Sequence, residues 1–290
     1  MTSAPLDHGP EGYDIDWGIV MTEEDLIPKS DGLFFIGNAT TVIRYGGFTL
    51  LTDPNFIRRG QKVHLGWGVM TTRLLDPAVP VDRLPPLDGI VLSHLHGDHW
   101  DRVARRNLDK ELPIVTTPHA ARRLKPQGFG NSHGLRTWED HEFVSGDRVL
   151  RVISAPGRHA PGAFQMMLPP VMGSILEFGS RGGRVDLRMY ISGDTLMYDD
   201  LAEIPRRYPD IDVGVVHLGG TKILNALLVT MDGKQGADWV ELVNASRVLP
   251  IHHNDYTVMK SPLSDFDAEV RRRGLQDKVQ VVQRGTLIEL

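Results

Sequence analysis

Residues 93–100 read Ser-His-Leu-His-Gly-Asp-His-Trp, and no other stretch narrows the possible folds of this chain as much. Three imidazoles and a carboxylate within six residues are costly to bring together, because each gives up water and protonated histidines repel one another. A metal cation removes both costs. The apolar run 89–92 predicts a buried strand just before the segment, and a helix is predicted from about Trp100. On extended backbone, residues two apart share a side, so His94 and His96 can face one ion. Gly97 is expected to permit a sharp turn, after which the adjacent Asp98 and His99 diverge toward a second ion close to the first. The chain has no Cys, which excludes disulfides, thiolate nucleophiles and Cys-bearing zinc sites. Any metal is therefore held by His, Asp or Glu.

The surrounding pattern gives a layered α/β architecture. Short β-rich runs at 33–36, 40–45 and 48–52 are split by Gly37-Asn38 and Gly46-Gly47, which predicts an antiparallel meander. The stretch 53–88 has no regular period. Further strands are expected at 113–116, 148–154, 174–178, 187–192, 213–217, 247–251, 278–283 and 286–289. Helices are expected at 100–108, 120–124, 196–206, 235–245 and 263–273. Strands that begin as a meander and later alternate with helices fit two sheets with helices outside, four layers in all. No linker-like segment divides the 290 residues, so one domain is expected, with a polar lead-in over 1–31. That lead-in has no basic start and no apolar run, and no long apolar stretch occurs elsewhere, which predicts a cytoplasmic protein without membrane insertion. The formal charge of −5, with no basic arm, argues against a nucleic-acid partner and for a small-molecule substrate.

With these residues in view, the chain resembles the metallo-β-lactamase superfamily, whose hallmark H-x-H-x-D-H loop is reproduced by His94, His96, Asp98 and His99. The resemblance implies a four-layer αββα sandwich and further ligands on later strand-end loops. Asp53, in Leu51-Thr52-Asp53-Pro54, matches the early Asp that orients the histidine loop. Ala155-Pro156-Gly157-Arg158-His159 matches the third-histidine motif. Ser192-Gly193-Asp194-Thr195 matches the G-D-T motif, whose Asp bridges two metals. Leu249-Pro250-Ile251-His252-His253 resembles the last-histidine motif, where the register favours His252 with His253 as the alternative. The implied arrangement is one ion on His94, His96 and His159 and a second on Asp98, His99 and His252, with Asp194 between them.

Within the superfamily the likeness is to the branch of L-ascorbate-6-phosphate lactonase and the N-acylphosphatidylethanolamine phospholipase D-like hydrolases. It is carried by residues 37–42, 51–54, the G-D-T element, His217-Leu218-Gly219-Gly220 and Thr230-Met231-Asp232, while His253-Asn254-Asp255-Tyr256 departs from that branch. The expected activity is hydrolysis of a small ester, lactone or phosphodiester by a hydroxide between two divalent ions, with Asp98 also handling protons. Zinc is the first expectation, and the all-N/O ligand set also suits manganese or iron. Two other readings of the same fold are an iron-dependent redox enzyme and a non-catalytic metal-binding scaffold. For substrate contacts the sequence offers His217, Arg158 and Tyr198. It also offers His64 with its basic neighbours Arg58, Arg59 and Lys62, and a Met-rich apolar wall over 166–172.

Overall fold

The two-residue period of the first strand decides which core each side chain joins. In β1 (Gly32–Gly37), Leu33 and Phe35 enter one apolar cluster and Phe34 and Ile36 another, so the strand is buried on both faces. The computed structural model describes residues 26–66, 68–223 and 227–290; most of the polar lead-in expected over 1–31 lies outside the described residues. β2 (Thr40–Tyr45) and β3 (Phe48–Thr52) complete the antiparallel meander, joined at Gly46 and Gly47, both at positive φ as a tight hairpin turn requires. A small ribbon, β4 (Lys62–His64) with β5 (Met70–Thr72), stands within the stretch that showed no period. Then come β6 (Gly89–Val91), α1 (Arg102–Asn107), β7 (Ile114–Thr116), α2 (Pro118–Leu124) and β8 (Ser132–Gly134).

The second half runs through β9 (Asp140–Ser145), β10 (Arg148–Ala155), β11 (Gly173–Ser180), β12 (Val185–Ile191), α3 (Glu203–Arg207) and β13 (Val213–His217). It continues through the ribbon β14 (Lys222–Ile223) and β15 (Leu227–Leu228), α4 (Gly233–Val243), β16 (Arg247–Ile251), α5 (Leu263–Arg272) and β17 (Leu287–Ile288). One sheet has the order β17-β1-β2-β3-β6-β7-β8, the other β16-β13-β12-β11-β10-β9, and both mix parallel with antiparallel pairs. Their inner faces meet through Leu50, Val91 and Val115 on one side and Val152, Leu176 and Val215 on the other. The outer face of the first sheet packs on α1 and α2 through Ala104, Leu108 and Leu124; that of the second packs on α4 and α5 through Trp239, Val240 and Phe266. The result is the four-layer αββα architecture of the metallo-β-lactamase fold.

Two expected elements differ. The helix expected over 196–206 is a 3₁₀ turn at Asp199–Ala202 followed by α3. Pro205 explains the late start, because proline lacks an N–H and fits only the first helical turn. The strand expected over 278–283 is a 3₁₀ turn at Gln276–Lys278 and then a segment touching the sheet only at a Val248–Val279 bridge. Val282 drops into the core while Val281 stays exposed, so the apolar alternation that suggested a strand plugs the end of the sandwich instead. Among the described residues, no helix is long and apolar enough to cross a membrane.

The topology fixes where chemistry can sit. Asp53 follows β3, His94 follows β6, His159 lies beyond β10, Asp194 follows β12, His217 ends β13 and His252 follows β16. Within each sheet these strands run the same way, so their loops gather at one rim of the sandwich.

Candidate metal centre

At that rim the side chains form two groups. The first is His94, His96 and His159. The Ser93 hydroxyl donates to Asp53 Oδ2 at 2.8 Å, so its lone pair is left to accept from His94 Nδ1, 3.0 Å away. His159 Nδ1 lies 2.6 Å from the Val229 carbonyl and must carry the hydrogen there. The Nε2 atoms of both rings are thereby lone-pair acceptors, and each sits 2.9 Å from His96 Nδ1. One hydrogen on His96 Nδ1 can serve only one of them, while His96 Nε2 is buried with no partner. Burial, and then the neighbouring rings, hold His94 well below the usual histidine range and His96 down at about 3. Burial likewise lowers His159. Three neutral rings turning lone pairs toward one point fit a divalent cation and little else.

The second group is Asp98, His99, Asp194 and His252, all buried, its ligand atoms within 4.8 Å of one another. His99 Nδ1 faces Asp53 Oδ2 at 3.0 Å and His252 Nδ1 faces the Leu218 carbonyl at 3.2 Å, which turns both Nε2 atoms toward carboxylates. His99 Nε2 is 3.2 Å from Asp194 and 3.8 Å from Asp98; His252 Nε2 is 3.4 Å from Asp98 and 3.6 Å from Asp194. Burial pulls both histidines down, but the carboxylates, Asp194 foremost, outweigh it and hold them above their usual value. Burial pushes both acids up, and the histidines in turn hold Asp98 and Asp194 below theirs. Without a metal the positive charge among these carboxylates is a proton on each ring; a cation would replace it, and this donor set of imidazole and carboxylate suits zinc, manganese or iron.

The frame is densely hydrogen-bonded and locally strained. Asn38, Asp53 and His252 all have positive φ, at 55°, 35° and 61°, which costs on the order of 1–3 kcal/mol each and persists only where surroundings dictate it. Asn38 ties two ligand loops: its side-chain amide donates to the Asp98 carbonyl, and its own carbonyl accepts from His252 N–H. Asp255, fully buried, accepts from Asn38 N–H, Arg73 and Arg284, pinning the segment after His252. The Gly37-Asn38 turn was the only sequence sign of this bracket; nothing local marked Asp255 or its arginines. The chain turns at Gly97 as expected, with the His99 and Trp100 N–H groups bonded back to the His96 carbonyl. The Gly97 φ is not in the left-handed region; instead a Cβ there would lie 2.8 Å from the His64 carbonyl, so the glycine lets β4 press on the histidine loop.

The remaining candidates separate. His217 joins the cluster, its Nδ1 3.3 Å from Asp194 and its Nε2 without a partner. His253 is buried but turned out of both groups, neither ring nitrogen has a partner, and burial lowers it to about 4. Arg158 stacks on the Tyr198 ring at 4.2 Å. The cluster opens at His96 into a groove of about 1230 Å³, which His64 lines and Arg58, Arg59, Lys62 and Arg158 do not. The Met-rich stretch divides: Met166 and Met167 line the groove, whereas Met172 is core.

Fold and site together define a metal-dependent hydrolase of the metallo-β-lactamase superfamily. The chain belongs to the family described as the beta-lactamase superfamily domain, whose profile matches residues 49–253. It is similar to the UPF0173 protein YddR of Bacillus subtilis (strain 168), 26% identical over 262 residues, covering 86% of this chain and 96% of that one. It is also similar to the UPF0173 metal-dependent hydrolase EAT1b_0495 of Exiguobacterium sp., 27% identical over 261 residues and covering 88% and 98% of the two chains. Among solved structures, the isothiocyanate hydrolase from Delia radicum gut bacteria shares the fold with a TM-score of 0.73 at 21% identity, covering 89% of this chain and 98% of that one.

Proposed function

We propose that this protein hydrolyses small ester-like molecules (esters, lactones or phosphodiesters) at a centre of two divalent cations, zinc first among them. The observation that supports this reading most is the convergence of two buried ligand groups at one rim. His94, His96 and His159 would hold one ion and Asp98, His99 and His252 the other, with Asp194 between. When bound, such a pair supplies Lewis acidity and a nucleophilic water at neutral pH.

The chain's own residues supply orientation and proton handling. Asp53, Ser93 and the carbonyls of Val229 and Leu218 fix the tautomers that aim the ring nitrogens inward. Asp98 Oδ1 is buried without a partner, in position to accept a proton from the attacking water and return it to the leaving group. Ser93, His94 and Asp53 touch, yet the hydroxyl is donated to Asp53 and serves alignment, not nucleophilic attack. The motifs shared with the lactonase and phospholipase D-like branch support the ester-like substrate class, and the groove at His96 has room for a small molecule. The test is turnover of lactone, phosphodiester and ester panels by protein stripped of metal and reloaded with zinc, manganese or iron. Turnover of at least one panel that appears on reloading is expected; none with any metal overturns the reading.

A further inference from the structure

The groove that opens at His96 has two unlike walls. One is formed by α1 and α2 and presents Arg102, Arg105, His119, Arg122 and Arg123. The spacings Arg102/Arg105 and His119/Arg122/Arg123 are the three- and four-residue steps that bring side chains to one helix face. The facing wall is apolar: Met166 is 87% exposed, and Leu168, Pro169 and Pro170 continue it.

Four arginines without a carboxylate partner among the described residues gather on this one groove wall. The chain has more acids than bases, 37 against 32, and many of its arginines are matched, among them Arg148 with Asp186, Arg188 with Glu177 and Arg273 with three carboxylates. Among the described residues, no carboxylate pairs with Arg102, Arg105, Arg122 or Arg123. The acid on the groove wall, Asp101, is 3% exposed, and its oxygens are taken by the N–H groups of Phe56, Ile57, Val103 and Ala104. Beside the arginines, His119 Nδ1 is buried with no hydrogen-bond partner. Guanidiniums without a carboxylate partner, lining a groove that ends at the clustered histidines, are the complement of an anion.

We propose that the α1–α2 face is a specificity subsite for an anionic group, such as a phosphate or carboxylate, carried at one end of an apolar body that lies against Met166–Pro170. The labile bond is then presented at His96. The identity of the bond broken rests on the hydrolase reading above; the anion subsite does not. A nucleic acid is a poor match, since only one wall is cationic and the other offers thioethers and prolines in place of phosphate contacts.

Octyl phosphate, which joins one anionic head to an apolar chain, is the probe. Its binding to the purified full chain is followed by calorimetry beside two controls, neutral octyl glucoside and inorganic phosphate. Tighter binding of octyl phosphate than of either control is expected. Arg122→Gln/Arg123→Gln should weaken it by about tenfold or more. Met166→Ser should weaken octyl phosphate and leave inorganic phosphate unchanged, and a thermal melt confirms that these surface variants fold. Equal binding by wild type and the double arginine variant overturns the subsite, because the head group is then held elsewhere; so does failure of octyl phosphate to bind a protein that turns over simple esters. Arginine-dependent binding by a protein that hydrolyses nothing supports the subsite and removes the hydrolase reading instead.

Discussion

The buried imidazoles of His94, His99, His159 and His252 each have a partner that dictates which nitrogen carries the hydrogen, and Asp53 does this for His99 while also receiving Ser93 N–H and Oγ–H. Replacing its carboxylate with an amide of the same shape tests the orienting role. Asp53→Asn should fold, retain the first ion and lose about ten- to a hundredfold in affinity for the second, measured by competition with a chromogenic chelator. Unchanged affinity would leave Asp53 a turn residue only. At this scale the residues of the two His/Asp groups were legible because they recur at strand ends in one short motif after another: the loop at 94–99, His159, Asp194 and the His252/His253 pair. The brackets behind them were not. Asn38, Asp255, Arg73 and Arg284 are brought together across up to 217 residues of sequence, and their residue types are ordinary for turns and surfaces.

At the scale of elements, the approach of β4 to the histidine loop is set by the missing side chain of Gly97, with Gly97 N–H bonded to the His64 carbonyl at 3.1 Å. Gly97→Ala must push backbone, not a flexible side-chain end. It should destabilise the protein by about 1–3 kcal/mol in urea unfolding and lower metal affinity, because the ribbon and the loop move apart together. A variant as stable as wild type would show that the ribbon yields freely. Most strands were legible from period and turn residues, with edges off by one or two positions. Those that failed did so for identifiable reasons: Pro205 delays a helix, the 278–283 run alternates without a ladder partner, and the ribbon at 62–72 is too short to show a period. Three of the groove's arginines, Arg105, Arg122 and Arg123, were present in the sequence but unremarkable, since basic residues in the last turn of a helix ordinarily complement its dipole.

For the whole molecule, a rim of buried histidines makes stability depend on pH. In the metal-free protein His96 is held at about 3 and His253 at about 4, against 6.5 when exposed. Between pH 6.5 and about 4 the unfolded chain therefore takes up protons that the folded chain refuses, and stability falls as pH falls, by up to about 1.4 kcal/mol per pH unit for each group. His99 and His252, raised above 6.5, act only above that pH and contribute a constant amount below it. The urea midpoint of chelator-treated protein should accordingly drop between pH 7 and pH 5; a flat or rising midpoint would contradict the buried neutral rings. Two adjacent cation sites built from His94, His96, Asp98, His99, His159, Asp194 and His252 would show in the elemental analysis of metal-replete protein beside His252→Ala and His253→Ala. About two ions per chain are expected in wild type and His253→Ala and about one in His252→Ala. A saturated content of one ion in the wild type, or loss of an ion from His253→Ala and not from His252→Ala, would contradict this pair of sites.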